Sequence, residues 1–149
     1  MATTAGAKPA LERRGGYLIH PSSFVDSSFA PVYVLNFEGT LVESSTAPME
    51  AHIAAAERFY GALDHPYASV TILSQLRELK PTVRKLYAEH VNAIEPIARR
   101  LCRGRAVVCS NALQRGFVTA VQWFLRTDID NSVFTSVQDA VAWARGQVR

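Results

Sequence analysis

The length, composition and charge of the chain point to one domain. It has 149 residues, of which 48% are hydrophobic, so it can bury one sizeable core, and a second domain is not expected. Sixteen basic residues against thirteen acidic ones leave a formal net charge of +3, which is too small to indicate nucleic-acid binding. No apolar run approaches the roughly 20 residues that cross a bilayer, and two cysteines are too few for a disulfide framework. We therefore expect a cytoplasmic protein without a transmembrane segment.

Basic residues form two clusters, at 77–85 and 99–105, and glutamates are interspersed with them. Mixed charge of this kind is typical of a solvated helix face. No aromatic residues alternate with the basic ones as a base-stacking platform would require, so no nucleic-acid partner is expected.

The chain begins with a segment that predicts a flexible tail and continues with strands. Residues 1–16 are small, polar or charged, and they lack the apolar surface that would offset chain ordering. Residues 17–20 and 24–25 together predict one short strand, and residues 32–37 (VYVLNF) predict a central strand because β-branched and aromatic residues dominate them. The two strands would form a hairpin that enters the sheet.

From residue 45 onward, helical periodicity alternates with short apolar runs. Four helices are predicted, at 45–63, 81–101, 110–124 and from 136 onward; three strands lie between them, at 67–73, 106–109 and 132–135. Pro96 should kink or divide the second helix, and Arg103 with Gly104 predicts its glycine-capped end. Ser136 and Asp139 have the spacing of a capping box. This order predicts an α/β fold with a mixed, mostly parallel sheet of four to five strands and about four helices.

The same elements resemble a known family. The quoted stretches are VYVLNFEGT, VTILSQLRELKPTVRK, CRGRAVVCSNALQRGFVTAVQWFL and SVFTSVQDAVAWA, and they are similar to bacterial STAS/SEC14-like (SpoIIAA-like) proteins of the anti-sigma-factor antagonist superfamily. The resemblance covers about residues 17–147 and specifies fold better than activity. It implies one STAS-like α/β domain over residues 17–149.

In signalling members of that superfamily, the strand that matches VTIL leads to a loop ending Asp-Ser-Ser-Gly, whose first serine is phosphorylated. Here Lys80 stands in place of the aspartate, Pro81 in place of the phosphorylated serine and Thr82 in place of the second serine. The resemblance therefore does not carry the switch chemistry to this chain. Thr82 could still accept a phosphate, because the helix start would stabilise negative charge, although a plain helix cap is the favoured interpretation.

This region supplies the candidate interaction or phosphorylation surface of the chain. It comprises Lys80, Thr82, Arg84, Lys85 and Tyr87. A protein partner, or a second copy of the chain, would bind there.

An enzymatic alternative rests on Cys109 and Arg115, which have the spacing of protein-phosphatase loops. A cysteine between a strand and a helix start can be activated by the helix dipole, and an arginine one turn later can bind phosphate oxygens. The loop lacks the histidine before the cysteine and the internal glycine that such enzymes usually have, since Val108 and Ala112 stand there. We therefore expect no phosphatase activity.

The sequence supports two functional hypotheses. The first is a non-enzymatic protein-interaction or regulatory module in bacterial signalling or assembly, and the alternative is a carrier of a small apolar ligand or lipid. A lipid carrier would require an internal cavity of several hundred Å³. The four histidines have no metal-ligand spacing, so no metal or cofactor is predicted.

Overall fold

A six-stranded sheet runs through the protein in chain order. The computed structural model describes residues 17–20, 23–37, 47–73, 80–112, 115–116, 118–119 and 128–149. Its strands are β1 (Tyr17–His20), β2 (Ser23–Asp26), β3 (Val32–Phe37), β4 (Tyr67–Ile72), β5 (Cys102–Val108) and β6 (Asn131–Phe134). The pairs β1–β2 and β2–β3 are antiparallel, and β3–β4, β4–β5 and β5–β6 are parallel. The predicted mixed, mostly parallel sheet is confirmed.

Helices connect the parallel strands, as a parallel sheet requires. The helices with defined bounds are α1 (Ala47–Gly61), α2 (Pro81–Leu101) and α3 (Val137–Val148). Residues 112, 115–116 and 118–119 are also helical, where the third helix was predicted, but the apolar stripe predicted for that helix lies outside the described residues. The predicted tail at 1–16 lies outside them as well. None of the described helices is long and apolar enough to cross a membrane.

Local sequence explains where the helices begin. Pro81 occupies the first turn of α2, where its missing N–H costs no hydrogen bond. The Ser136 side chain accepts a hydrogen bond of 3.3 Å from the backbone N–H of Asp139 at the start of α3, so the predicted N-cap is confirmed.

Alternation along the strands separates two apolar cores. In β3, Tyr33 and Leu35 pack in the core that contains α1 and α2, whereas Val32 and Val34 pack in the core that contains α3. The same alternation continues in β4, where Tyr67 belongs to the first core and its neighbours at 68 and 70 to the second. Helices therefore cover both faces of the sheet.

Three details differ from the predictions. The first predicted strand is two strands, β1 and β2, which pair with each other and bring the sheet to six strands. Pro96 does not divide α2, which is continuous over Pro81–Leu101. Gly104 does not cap that helix: α2 passes directly into β5, and Gly104 lies within the strand.

Packing against α3 explains the position of Gly104. A Cβ atom there would lie 2.9 Å from Cγ of Gln147 and 3.1 Å from Cη2 of Trp143. These separations are shorter than ordinary van der Waals contact, so a side chain at position 104 would require the side chains of Gln147 and Trp143 to shift. The sequence motif was interpreted as a helix end, but the glycine serves close packing between a strand and a helix.

Candidate functional site

A cavity of about 110 Å³ lies between the sheet and the helices α1 and α2. Most of its lining is apolar or aromatic. The helical segments contribute eight lining residues: Ala56, Tyr60, Tyr87, His90, Val91, Ile94, Ala98 and Val118. The sheet and its strand ends contribute ten: Leu35, Tyr67, Ser69, Thr71, Leu73, Cys102, Arg105, Ala106, Val107 and Asn131. A concave apolar site with a few polar groups is the usual form of a small-molecule site.

Strand register places the polar residues of this lining in one row. Ser69 of β4 pairs with Arg105 of β5, and Arg105 pairs with Asn131 of β6. Residues paired across adjacent strands point to the same face of the sheet, and all three line the cavity. We call Ser69, Arg105 and Asn131 the polar row.

Arg105 forms a buried ion pair on the cavity wall. Its Nη2 atom donates a hydrogen bond of 3.2 Å to Oε1 of Glu95, and the two side chains are 15% and 6% exposed. Nη2 of Arg99 lies 3.6 Å from the other carboxylate oxygen of Glu95, but the Arg99 side chain is more than half exposed. One buried carboxylate is therefore shared by two guanidinium groups.

Three tyrosines line the same cavity and keep their protons. Burial raises the pKa of Tyr60, Tyr67 and Tyr87 above the ordinary value, while the nearby charge of Arg105 acts in the opposite direction on each of them. The rings of Tyr60 and Tyr67 are stacked with their centroids 5.4 Å apart. The tyrosines therefore contribute neutral, hydroxyl-bearing surface to the lining.

His90 lines the cavity from α2. Its Nδ1 atom is buried without a hydrogen-bond partner among the described residues, and it lies 3.6 Å from Oε2 of Glu57, beyond hydrogen-bond distance. Burial lowers the pKa of His90, and the carboxylate of Glu57 partly opposes that effect. The lowered pKa favours the neutral imidazole.

The predicted interaction surface is divided by the structure. Lys80, Thr82 and Lys85 are exposed at the start of α2, and Lys85 makes a long pair of 4.0 Å with Glu89. The Tyr87 side chain lies in the cavity. The side chain of Arg84 lies outside the described residues.

The cysteine of the phosphatase alternative is buried. Cys109 is fully enclosed, and burial raises the pKa of its thiol, with Arg115 acting in the opposite direction. Its backbone N–H donates to the carbonyl of Phe134. Because the thiolate is the nucleophilic form, this environment disfavours an activated cysteine.

A second polar cluster joins Tyr33, His65 and Asp64 at the end of α1. The hydroxyl of Tyr33 lies 2.7 Å from Nε2 of His65, and Nδ1 of His65 lies 3.2 Å from Oδ1 of Asp64. Burial and the charge of Asp64 raise the pKa of Tyr33, so the phenol keeps its proton. The cluster therefore satisfies a buried hydroxyl. Across the described residues, no group of three or more His, Cys, Asp and Glu side chains could hold a metal.

One solved structure shares the architecture of this chain. It is the crystal structure of an uncharacterised protein from Shewanella loihica PV-4, from the DUF3478 family, described as having a SpoIIAA-like fold. The two chains superpose with a TM-score of 0.56 at 14% identity, over 82% of this chain and 91% of the other. The fold is SpoIIAA-like. No family model matches the sequence, and no curated protein matches it.

The predicted resemblance to SpoIIAA-like domains is thus confirmed at the level of fold. The cavity of this SpoIIAA-like domain was not predicted. The charge pattern predicts a solvated helix face for Arg105, but its side chain is mostly buried and belongs to a strand. One signal was available: Ser69 and Thr71 alternate with apolar residues in β4, which places two hydroxyl groups on a covered face of a central strand.

Proposed function

We propose that this SpoIIAA-like domain is a non-enzymatic protein that binds a small molecule in the cavity between its sheet and the helices α1 and α2. The cavity itself carries the proposal. Close-packed cores contain few voids larger than a water molecule, and about 110 Å³ of space is large enough to hold a ligand.

The size of the cavity limits the ligand. Pockets for drug-sized molecules have volumes of about 300–1,000 Å³, and an engineered cavity of about 150 Å³ accommodates benzene. A volume of about 110 Å³ therefore suits a molecule no larger than about one ring. This argues against the lipid carrier among the alternatives and for a smaller ligand.

The environment of Cys109 supports a protein without hydrolytic activity. Its thiol is buried and its pKa is raised. A phosphate-ester hydrolysis assay tests this part of the proposal, and we expect no turnover above background for the native chain. Turnover that disappears in Cys109→Ser would show that the domain is an enzyme.

The binding proposal is tested with a variant that fills the cavity. Ala98 lines the cavity from α2, and Ala88 is buried on the same helix outside the lining. The native protein, Ala98→Leu and Ala88→Leu are purified from the same cells, and the bound small molecules are extracted and identified by mass spectrometry. We expect one molecule in near-stoichiometric amount with the native protein and Ala88→Leu, and its loss in Ala98→Leu.

A complementary measurement covers a ligand that is lost during purification. The melting temperature of each protein is measured with and without each member of a library of small molecules. Ligands that bind the folded state raise this temperature. A native protein that retains nothing and is stabilised by no library member would contradict the proposal.

The start of α2 favours a second candidate function, the binding of a protein partner with an acidic segment. Lys80, Thr82 and Lys85 are exposed there, and the first turn contains no acidic residue. The positive end of the helix dipole adds to the charge of the two lysines. Among the described residues, the exposed large apolar side chain is Val133, so a charged surface is the better candidate for docking than an apolar one.

The second candidate is tested by affinity purification with charge-reversed variants. Lys80→Glu combined with Lys85→Glu should lose a stoichiometric partner. Arg100→Glu combined with Arg103→Glu is the control, because Arg100 is exposed near the other end of α2 and Arg103 is exposed at the start of β5. Equal loss of the partner in both variants would show that the start of α2 is not the docking surface.

A further inference from the structure

The lining of the cavity changes from polar to apolar along the strands. The polar row crosses β4, β5 and β6 at Ser69, Arg105 and Asn131. Two residues further along, about 6.6 Å away, the paired residues of the lining are Thr71 and Val107, with Leu35 beside them. Leu73 follows. The cavity is therefore amphipathic, with its charged group at one end.

The fixed charge at the polar end is positive. Arg105 contributes a guanidinium to the lining, while Glu95 is not among the lining residues. Glu95 is engaged by Arg105 at 3.2 Å and by Arg99 at 3.6 Å. Because Glu95 is shared by two guanidinium groups and, of the three side chains, Arg105 is the one that lines the cavity, this wall suits an anion better than a cation.

The other groups of the lining respond to this charge. Arg105 acts to lower the pKa of Tyr67 and of Cys102, and its effect on each exceeds the opposite effect of Glu95. At His90, on the helix side of the cavity, the carboxylate of Glu57 acts in the opposite direction and outweighs Arg105. The positive influence of the guanidinium is therefore confined to the part of the lining near Tyr67 and Cys102.

We propose that the cavity takes a short-chain monocarboxylate, with the carboxylate at the polar row and the apolar chain directed toward Leu35, Val107 and Leu73. Arg105 supplies the charge complement, and the hydroxyl of Ser69 and the amide of Asn131 flank it in the row. Charge-assisted hydrogen bonds between arginine and carboxylate are among the stronger polar contacts in proteins. This inference rests on the proposed function and names the class of ligand.

The volume sets the length of the chain. Since a cavity of about 150 Å³ holds benzene, which has six non-hydrogen atoms, about 110 Å³ is suited to a molecule of about four or five non-hydrogen atoms. Propionate has that size and is the probe we choose. Propionamide is its neutral counterpart of nearly the same shape, and propylamine is a cationic probe with the same three-carbon chain.

The experiment compares the affinities of these three probes for the full chain by NMR titration. We expect the Kd of propionate to be at least tenfold lower than that of propionamide, and propylamine to bind more weakly than either. Ala98→Leu should abolish propionate binding, and Ala88→Leu should preserve it.

Paired variants then assign the preference to Arg105. Removing the arginine alone would take from the buried Glu95 the nearer of its two guanidinium partners, which is destabilising, so Arg105→Met is combined with Glu95→Gln. This double variant should bind propionate and propionamide with similar Kd values. Arg103→Met is the matched control, because Arg103 is an exposed residue of the same strand, and it should keep the full preference. Arg105→Lys, which keeps the positive charge, should keep part of it.

The outcomes separate this inference from the proposed function. Equal binding of propionate and propionamide by the native chain, or propionate binding that persists in Ala98→Leu, overturns the monocarboxylate assignment. A co-purified neutral or cationic molecule that is lost in Ala98→Leu also overturns it, but leaves the proposed function standing. Failure of all three probes overturns the inference, and the absence of any bound or stabilising molecule contradicts the function as well.

Discussion

Filling the cavity with Ala98→Leu should stabilise the protein even when no ligand is present. At about 24 cal/mol per Å³, a fully enclosed cavity of about 110 Å³ would cost about 2.6 kcal/mol, which is the upper limit for the gain from filling it. Leucine adds three carbons to alanine, which contribute about 0.8 kcal/mol each when buried. Ordering the longer side chain costs about 0.5–1 kcal/mol. We therefore expect the free energy of unfolding to rise by about 1.5 kcal/mol.

Urea unfolding followed by far-UV circular dichroism measures this change. Ala88→Leu introduces the same side chain on the same helix at a buried position outside the cavity lining, where overpacking costs about 1–3 kcal/mol. The two substitutions should therefore change the free energy of unfolding in opposite directions. If Ala98→Leu is destabilised as much as Ala88→Leu, the cavity has no room for a side chain and the reasoning fails.

Further predictions concern packing, capping and pH. Gly104→Ala should lower the free energy of unfolding by about 1–3 kcal/mol, whereas Gly146→Ala, with nothing within 4 Å of its Cβ position, should raise it by about 0.5–1 kcal/mol; urea unfolding of both tests the clash. Ser136→Ala should cost about 1 kcal/mol because α3 loses its N-cap, and Thr135→Ala, one residue earlier, serves as the comparison in thermal unfolding. The pKa of His90 is lower in the folded state than its value of about 6.5 in the unfolded chain. Near and below pH 6.5 the unfolded chain therefore binds more protons than the folded protein, and the free energy of unfolding falls as the pH falls. His90→Asn should reduce this loss between about pH 7 and pH 5, and an unchanged slope would show that His90 is not its source.

The periodic parts of the fold could be predicted because each strand and helix buries one regular face. The strand at residues 32–37 and the N-cap at Ser136 depend on neighbours in sequence, and both were placed correctly. The boundary between α2 and β5 was misplaced because the prediction for Gly104 used only its neighbours in sequence. Its role depends on Trp143 and Gln147, about forty residues away, and local pattern rules contain no information about that contact.

The candidate site could not be predicted for a similar reason. The polar row exists only after β4, β5 and β6 have paired in one register, since Ser69, Arg105 and Asn131 are far apart in sequence. The cavity depends on the packing of two helices over that row. The order of charged residues along the chain contains neither the strand register nor the helix packing. Arg105 was therefore grouped with arginines on a helix face.

The strand β5 forms a common wall between the two cores. Arg105 faces the cavity, while the neighbouring Gly104 lies against Trp143 with no space even for a methyl group. Because close-packed layers transmit displacement, a molecule that pushes β5 away from the cavity also pushes on α3. Trp143 packs on Phe134 at this contact. We therefore expect the fluorescence of Trp143, measured with the second tryptophan, Trp123, replaced by phenylalanine, to change on one side of the sheet when the cavity on the other side is occupied.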